Sequence, residues 1–336
     1  MMPGCDRAAY ERIAPFLTKM AAQASGRPCC ALIGPDGAGH YVKMVHNGIE
    51  YADMQLIAET YDILKSLYGL SARDIGDVFA NWKSSALDSY LIEIAAEVLR
   101  KTNETGAPLV DQIVDEAEQK GTGRWTAQSA LELGVPITAI TEAVYARVLS
   151  SRRDLRVAAE ARFSHAKPST RQADPGDIEA IRDALYAAKI VAYAQGFEQM
   201  SAAGAQYGWP LDLSEIAAIW RAGCIIRARM LDRIMEAYER EPALPSLLLA
   251  DHFRDAVAGA ESAWRKVVAL AIAGGVATPA FSSALAYFDG FRRARGPANL
   301  VQGLRDYFGA HTYRRLDKPG VFHTRWSQDG AEVRVD

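Results

Sequence analysis

The residues of this chain that could do chemistry are concentrated between Gly39 and Tyr51. If this segment is helical, successive side chains turn by about 100°, and five polar groups share about 140° of arc. These groups are the amine of Lys43, the imidazole of His46, the amide of Asn47, the carboxyl of Glu50 and the phenol of Tyr51. The opposite side is apolar, with Val45, Ile49, Ala52 and Leu56. An amine and a carboxyl on one face suit the removal of one substrate proton and the delivery of another.

Two other interpretations of this segment stay open. A polar stripe on a helix is commonly its solvated face. Against this, the stripe is flanked by glycine-rich turns and is mixed in chemistry rather than rich in Glu and Lys. A metal site formed by His40, His46 and Glu50 is disfavoured because no ligand spacing such as HExxH is present. We therefore predict no metal, and spacing alone does not name a reaction.

Composition limits the classes of protein that the chain can belong to. A chain of 336 residues can bury a substantial core in one large or two ordinary domains. The net charge of −3 predicts no affinity for nucleic acid or anionic membranes. The spacing of the four cysteines is typical of reduced thiols in a cytoplasm rather than of zinc sites or disulfides. They are Cys5, Cys29, Cys30 and Cys224.

The only candidate membrane span is the uncharged run from Val267 to Phe288. Gly274 and Gly275, followed by Pro279, interrupt this run and favour two buried helices that meet at a proline. We expect a cytoplasmic protein without a membrane segment or a signal peptide.

The elements that must position these groups are almost all helical, so the predicted fold class is all-α. Amphipathic runs predict helices over 7–24, 41–69, 73–81, 84–103, 109–119, 126–132, 138–160, 175–207, 213–219, 223–239, 244–252, 255–274 and 279–293. One apolar run predicts a strand over 29–33 that has no obvious partner. A polar loop is predicted over 162–177.

The helical part contains a candidate internal duplication. Residues 77–83 can be laid over 215–221, and the Tyr-Gly pairs at 68–69 and 207–208 match after a one-residue gap. The two copies span about 41–160 and 175–293. Coincidence between amphipathic helices remains the alternative.

The sequence KMVHNGIEYADMQLIAE, which begins at Lys43, resembles the signature of the 6-phosphogluconate dehydrogenase family. Further blocks follow in the family's order over nearly the whole chain. They are MPG, PCCALIG, GAGH, QKGTGRWT, EAVYARVLSS, IWRAGCIIRA, ANLVQGLRDYFGAHTY and FHTRW. The resemblance implies oxidative decarboxylation of 6-phosphogluconate to ribulose 5-phosphate, with NADP as the cofactor, in the pentose phosphate pathway.

The resemblance also implies roles for individual residues. Lys43 matches the general base and Glu50 the acid, while His46 and Asn47 match residues that hold the substrate's carboxylate and hydroxyls. Four positions match residues that bind substrate, largely its phosphate: Tyr51, Lys120, Thr122 and Arg147. Arg305 and His311 match residues that one subunit of a dimer donates to the other. As alternatives, Lys43 and Glu50 are exposed helix residues, and Arg305 and His311 form a cationic rim on a surface tail.

The same resemblance implies a domain plan. Residues 1–36 look like the end of a Rossmann-type cofactor domain, 37–309 form the catalytic and dimerisation domain, and 310–336 form a tail that reaches a partner subunit. No G-x-G-x-x-G after a strand is present. We therefore expect a fragment, a misplaced gene start, or a protein served by a separate cofactor domain. Two functions remain: the catalytic helical part of the enzyme, or a non-catalytic dimerising module that binds a sugar phosphate.

Overall fold

The computed structural model describes residues 1–163 and 170–336. Within these ranges the chain is predominantly helical, which confirms the predicted fold class. The α-helices are α1 Arg7–Met20, α2 Ala38–Tyr68, α3 Ala72–Trp82, α4 Tyr90–Arg100, α5 Thr122–Leu133, α6 Thr138–Ser150, α7 Arg153–Glu160, α8 Pro175–Tyr207, α9 Leu213–Ile219, α10 Met230–Arg240, α11 Asp251–Ala273, α12 Pro279–Phe291 and α13 Ala298–Gly309. Short 3₁₀ helices span Leu109–Gln112 and Leu247–Leu249. The strands are β1 Gln23–Ala24, β2 Arg27–Pro28, β3 Tyr313–Arg314, β4 Val321–Thr324 and β5 Glu332–Arg334.

The long helices α2 and α8 pack against each other and form the centre of the core. Each ends at a glycine in the left-handed conformation, Gly69 with φ 65° and Gly208 with φ 68°. This conformation is costly for other residues, so the Tyr-Gly pairs mark both helix ends. Gly196 of α8 lets the helices approach closely, because a Cβ there would lie 2.5 Å from Cδ1 of Ile49. The approach packs Ile49, on the apolar side of α2, against α8.

The prediction of a strand over 29–33 is wrong, because the structure has no strand at these residues. Among the described residues, this run has one isolated parallel bridge next to it, between Gly4 and Gly34. Its partner is the start of the chain, since Ile33 donates to the Pro3 carbonyl at 2.9 Å and Cys5 donates to the Gly34 carbonyl at 2.9 Å. So few bonds do not build a ladder, and β1 and β2 pair with each other immediately before this run.

Several predicted helices are shorter than their sequence patterns. Only 109–112 of the predicted helix 109–119 is helical, as a 3₁₀ turn. Residues 111–118 are all exposed, so no apolar face is buried there to stabilise a short helix. Helix α4 begins at Tyr90 because Ser89 caps it by accepting from the Ile92 amide. Helix α10 begins at Met230, and the helix predicted over 138–160 is divided between α6 and α7.

Residues 164–169 of the predicted loop 162–177 lie outside the described residues. Its last three residues begin α8, where Asp174 caps the helix by accepting from the Asp177 amide at 2.8 Å.

The two stretches of the candidate duplication have the same element order. Each has a long helix, a left-handed glycine, a short helix and a further helix: α2, α3 and α4 in one, α8, α9 and α10 in the other. The segments before α4 and α10 pair with each other through an antiparallel bridge between Ser89 and Ala228. The duplication itself stays a prediction that this shared order supports.

Residues 1–286 and 287–336 form two compact units. In the second unit, α13 accompanies the antiparallel sheet β3-β4-β5. The buried carboxylate of Asp306 accepts hydrogen bonds from the Thr312 amide at 2.8 Å, the Thr324 amide at 3.0 Å and Trp326 Nε1 at 2.8 Å. Burial alone would raise the pKa of Asp306, but these bonds and His323 lower it to about 2. An ionised carboxylate therefore joins α13 to the sheet.

The uncharged run 267–288 is divided between α11 and α12, with a break at 274–278. No helix among the described residues is long and apolar enough to cross a membrane. All four cysteines are free.

Candidate active site

Helix α2 presents the predicted polar face as a continuous stripe near its N-terminal end. The helix begins at Ala38 after Gly37, so all five residues have regular helical backbone. His46 and Tyr51 are buried, Asn47 and Glu50 are half-buried, and Lys43 is the most exposed of the five. The stripe is therefore not a solvated face, which rules out that interpretation for its central residues.

Lys43, His46 and Asn47 form a hydrogen-bonded cluster. Lys43 Nζ donates to Asn47 Oδ1 at 2.6 Å and lies 3.1 Å from His46 Nδ1. His46 Nδ1 also lies 3.1 Å from Asn47 Oδ1, so this nitrogen accepts from Lys43 in one neutral tautomer and donates to Asn47 in the other. Asn47 Nδ2 in turn donates to Thr122 Oγ1 at 3.3 Å. These contacts fix the amine and the amide relative to one another.

Burial acts on both proton-transfer candidates in the direction that the chemistry needs. Desolvation lowers the pKa of Lys43, although Glu50 and Cys224 act in the opposite direction. Desolvation raises the pKa of Glu50, although Lys43 and Arg147 oppose it. Both groups are thus shifted towards their neutral forms, the amine as a proton acceptor and the carboxyl as a donor.

His46 lies between them as a neutral ring. It is completely buried, and desolvation together with the charge of Lys43 lowers its pKa to about 3. Its Nδ1 is 3.9 Å from Glu50 Oε2, but this contact is not an ion pair, because the ring is neutral. The imidazole therefore orients its neighbours without carrying charge at neutral pH.

The N-terminus of α5 closes one side of the stripe. Gly121 precedes this helix with φ 100°, a conformation that favours glycine. Thr126 Oγ1 donates to the Met44 carbonyl at 2.9 Å, and a Cβ at Gly48 would lie 2.6 Å from Thr126 Cγ2. The close approach of α2 and α5 brings Thr122 to Asn47.

Arg147 of α6 stacks on Tyr51. Its guanidinium carbon lies 3.5 Å from the centre of the Tyr51 ring, and Nη1 donates to the Glu118 carbonyl at 3.3 Å. Gly123 lies against the same ring, since a Cβ at this position would be 2.5 Å from Tyr51 Cδ2. A planar guanidinium held on an aromatic face is well suited to binding an anion.

The structure thus brings together seven of the ten predicted site residues, from α2, α5 and α6. Lys120 is exposed and adjoins this group through Gly121 and Thr122. Arg305 and His311 lie in the second unit, where both are exposed and Arg305 Nη1 donates to Gln302 Oε1 at 3.0 Å. Among the described residues no group of three or more His, Cys, Asp or Glu side chains could hold a metal ion.

Two residues beside the site were not predicted from the stripe. The Trp220 ring meets His46 edge to face, with 5.2 Å between ring centres. Cys224 donates to the Trp220 carbonyl at 3.0 Å, and burial raises its thiol pKa to about 11. The signal was present in the candidate duplication, which singled out Trp220 as the counterpart of Trp82.

Fold and site together define an all-helical domain that presents an amine and a carboxyl on one face, with the pKa of the amine lowered and that of the carboxyl raised. The family model described as "6-phosphogluconate dehydrogenase, C-terminal domain" matches residues 39–326. The chain belongs to the 6-phosphogluconate dehydrogenase family, whose members are decarboxylating oxidoreductases.

Similar proteins support this assignment over nearly the whole chain. The NADP(+)-dependent decarboxylating 6-phosphogluconate dehydrogenase of Bacillus subtilis is 56% identical over 97% of this chain and 70% of its own length. An NAD(+)-dependent enzyme of the same organism is 51% identical over 98% of this chain and 70% of its own length. Among solved structures, Plasmodium falciparum 6-phosphogluconate dehydrogenase matches with a TM-score of 0.94 at 43% identity, over 97% of this chain and 70% of that one. That protein is described in its apo form, with NADP+ and with 6-phosphogluconate.

Proposed function

We propose that this chain binds 6-phosphogluconate and performs the proton transfers of its oxidative decarboxylation to ribulose 5-phosphate, in the pentose phosphate pathway. The observation that carries the proposal is the pair on α2: a lysine with lowered pKa and a glutamate with raised pKa on one face. The relatives named for this reaction, and the substrate in the Plasmodium structure's description, support the choice of substrate.

The reaction needs one base and one acid. As hydride leaves C3 of 6-phosphogluconate, the C3 hydroxyl must lose its proton. Lys43 can accept this proton only as a neutral amine. The resulting 3-keto acid loses CO₂, and an enediol remains. This enediol must be protonated at the carbon that becomes C1 of ribulose 5-phosphate, and Glu50 can donate that proton only as a neutral carboxyl. The shifted pKa values favour these two forms.

Substrate would be held by the groups around this pair. We assign the carboxylate and hydroxyls to His46 and Asn47, and the phosphate to the region of Tyr51, Lys120, Thr122 and Arg147. The phosphate assignment is supported by the stacked guanidinium of Arg147 and by the glycine turn that opens α5, where backbone amides point outwards.

NADP, the cofactor named for the Bacillus and Plasmodium relatives, would accept the hydride when bound. The described residues do not fit a dinucleotide, because their strands form only small antiparallel sheets without a glycine-rich strand–turn–helix. We therefore assign these residues the substrate and the proton transfers. Since NAD- and NADP-dependent relatives match this chain almost equally well, the matched region does not decide between the two cofactors.

We also propose that the chain forms a homodimer and that the tail meets the partner. Helix α13 leaves a set of large apolar side chains exposed in the single chain, which favours burial against another surface. They are Leu300, Val301, Leu304, Tyr307 and Phe308. In this arrangement Arg305 and His311 would contribute cations to the partner's substrate.

The alternative function is a non-catalytic dimerising module that binds a sugar phosphate. It is favoured by the lack of a dinucleotide fold among the described residues. Both functions predict binding of 6-phosphogluconate, so binding alone does not distinguish them.

Proton exchange distinguishes them without any hydride transfer. By microscopic reversibility, an acid that protonates the enediol at C1 also removes a C1 proton from ribulose 5-phosphate. We expect the chain in D₂O to incorporate deuterium at C1, measured by NMR, and to bind 6-phosphogluconate in calorimetric titrations.

Glu50→Gln should abolish the exchange and change the affinity for 6-phosphogluconate only a few-fold. Glu97→Gln removes an exposed carboxylate of α4 and is the matched control. Binding without exchange in the wild-type chain would favour the module, and exchange that survives Glu50→Gln would overturn the role of Glu50.

A further inference from the structure

A buried ion pair lies one helical turn beyond Glu50. Asp53 of α2 and Lys189 of α8 are 1% and 2% exposed, and Lys189 Nζ lies 2.9 Å from Asp53 Oδ1. Lys189 Nζ also donates to Ser89 Oγ at 3.4 Å. The pair thus joins the two central helices and the start of α4.

A buried ion pair contributes little net free energy to the packing of two helices. Removing two charges from water costs about as much as their attraction returns, and apolar replacements of similar volume are commonly as stable. A role beyond stability is therefore worth seeking in what the pair faces.

Asp53 is the member of the pair that lies on the same helix as the proposed acid. Residues three apart on a helix are neighbours, so Asp53 lies beside Glu50 on α2. Asp53 acts on Glu50 to raise its pKa, in the same direction as burial. Lys189 contacts Asp53 from the other helix, α8.

The other charges around Glu50 oppose protonation. Lys43 on α2 and Arg147 on α6 both lower the pKa of Glu50. His46 on α2 and Tyr193 on α8 also lie near Glu50, and Cys224 after α9 acts on Lys43. The pKa shifts of these three groups favour their neutral forms. Among the described residues that shift Glu50, Asp53 is therefore the one negative charge that offsets two cations.

We propose that the buried Asp53–Lys189 pair is a positioning element of the site: Lys189 holds the Asp53 carboxylate beside Glu50, and this negative group offsets Lys43 and Arg147 and so favours the protonated form of Glu50. The proposal rests on the proposed function of Glu50 as the acid. It assigns Asp53 and Lys189 no contact with substrate.

The direct test is the titration of the Glu50 carboxyl by ¹³C NMR in the full chain, with the resonance assigned through Glu50→Gln. Asp53→Asn should lower the pKa of Glu50, because a neighbouring negative group is lost. It should also destabilise the fold, since Lys189 loses its partner.

The double variant Asp53→Asn with Lys189→Gln separates charge from packing. It places two neutral amides where two charges stood, so the stability lost in Asp53→Asn should largely return. The pKa of Glu50 should nevertheless remain low. Asp62→Asn is the control, because it makes the same exchange on α2, twelve residues from Glu50.

A Glu50 pKa equal to the wild-type value in both Asp53 variants would overturn the proposal. So would a return to the wild-type pKa in the double variant, because the effect would then follow the packing and not the charge. The titration uses no substrate, so it is independent of the proposed function. If the pKa moves as expected but no deuterium exchange occurs at C1 of ribulose 5-phosphate, the proposed function fails and the electrostatic coupling stands.

Discussion

His46→Asn tests whether the imidazole at the centre of the site is a buried neutral group. The ring is completely buried, and desolvation lowers its pKa to about 3, with Lys43 acting in the same direction and the bond to Asn47 opposing it. Asparagine keeps a neutral polar group near the position of Nδ1 and cannot be protonated in this range. The variant therefore removes the titration and retains part of the hydrogen bonding.

The size and sign of the effect follow from linkage. In the unfolded chain histidine titrates near its ordinary value of 6.5, whereas the folded chain resists protonation until pH about 3. The native state is thus not penalised above pH 6.5 and loses stability as the pH falls below it. Between pH 6.5 and 5 the loss is about 2 kcal/mol, at about 1.4 kcal/mol per pH unit.

The assay is urea unfolding of the wild-type chain and the variant between pH 8 and 4.5, with the free energy of unfolding plotted against pH. His46→Asn should lower stability at pH 8, because the ring's packing against Trp220 is lost. Its curve should then fall less steeply below pH 6.5, so that the difference from wild type narrows by about 2 kcal/mol at pH 5.

His40→Gln removes an exposed imidazole from the first turn of the same helix and controls for the loss of one histidine. Two results would refute the reasoning. One is a wild-type curve and a His46→Asn curve that run parallel from pH 8 to 5. The other is a His46 ring resonance that titrates above pH 5 in the folded chain.

Three further predictions concern charge, packing and recognition. Burial raises the pKa of Glu59 from 4.5 to about 7, although the hydrogen bonds that it accepts from backbone amides of α12 oppose this shift. The free energy of unfolding should therefore fall by about 3 kcal/mol from pH 4.5 to 7. Glu59→Gln should flatten this part of the unfolding profile. Gly123→Ala should lower the free energy of unfolding by about 1–3 kcal/mol in chemical denaturation, because the new Cβ meets the Tyr51 ring. The control Gly259→Ala places a Cβ with nothing within 4 Å and should stabilise its helix. Equal effects of the two variants would contradict the packing argument. Arg147→Lys should weaken 6-phosphogluconate binding in calorimetry by about tenfold, since an ammonium does not replace a stacked, forked guanidinium; unchanged affinity would remove Arg147 from the phosphate site.

The parts of the fold that sequence predicted well are those with local end signals. Helix α8 was predicted with its exact bounds, because Asp174 and Pro175 mark its start and Gly208 marks its end. The predicted start of α1 at Arg7 is likewise confirmed, and Asp6 caps it by accepting from the Ala9 amide. Such signals depend on neighbours in the chain and need no knowledge of the tertiary structure.

The errors occurred where tertiary contacts decide the structure. Residues 111–118 have helical composition but are exposed, so nothing stabilises a helix there. The apolar run 29–33 finds its partner in the first residues of the chain, which no local pattern of the run could reveal. Helix α13 and strands β3 to β5 were missed because Asp306, a single buried acceptor, organises that polar segment.

The same division applies to the site. Helical periodicity sufficed to place Lys43, His46 and Glu50 on one face, since all three lie on α2. The stacking of Arg147 on Tyr51 depends on the approach of α6 to α2, and only the family resemblance pointed to that arginine. Burial of the face was also unpredictable from spacing, and burial is what separates this stripe from an ordinary wet surface.

That burial has a consequence for how one helix can supply both an acid and a base. In water at neutral pH, an amine and a carboxyl are both charged, which leaves the amine unable to accept a proton and the carboxyl unable to donate one. Desolvation penalises charge of either sign, so the same environment lowers the pKa of Lys43 and raises that of Glu50. Their mutual attraction works against this, and the neutral ring of His46 lies between them without adding charge to either. A single physical cause, the removal of water from one face of α2, thus prepares the two residues for opposite proton transfers.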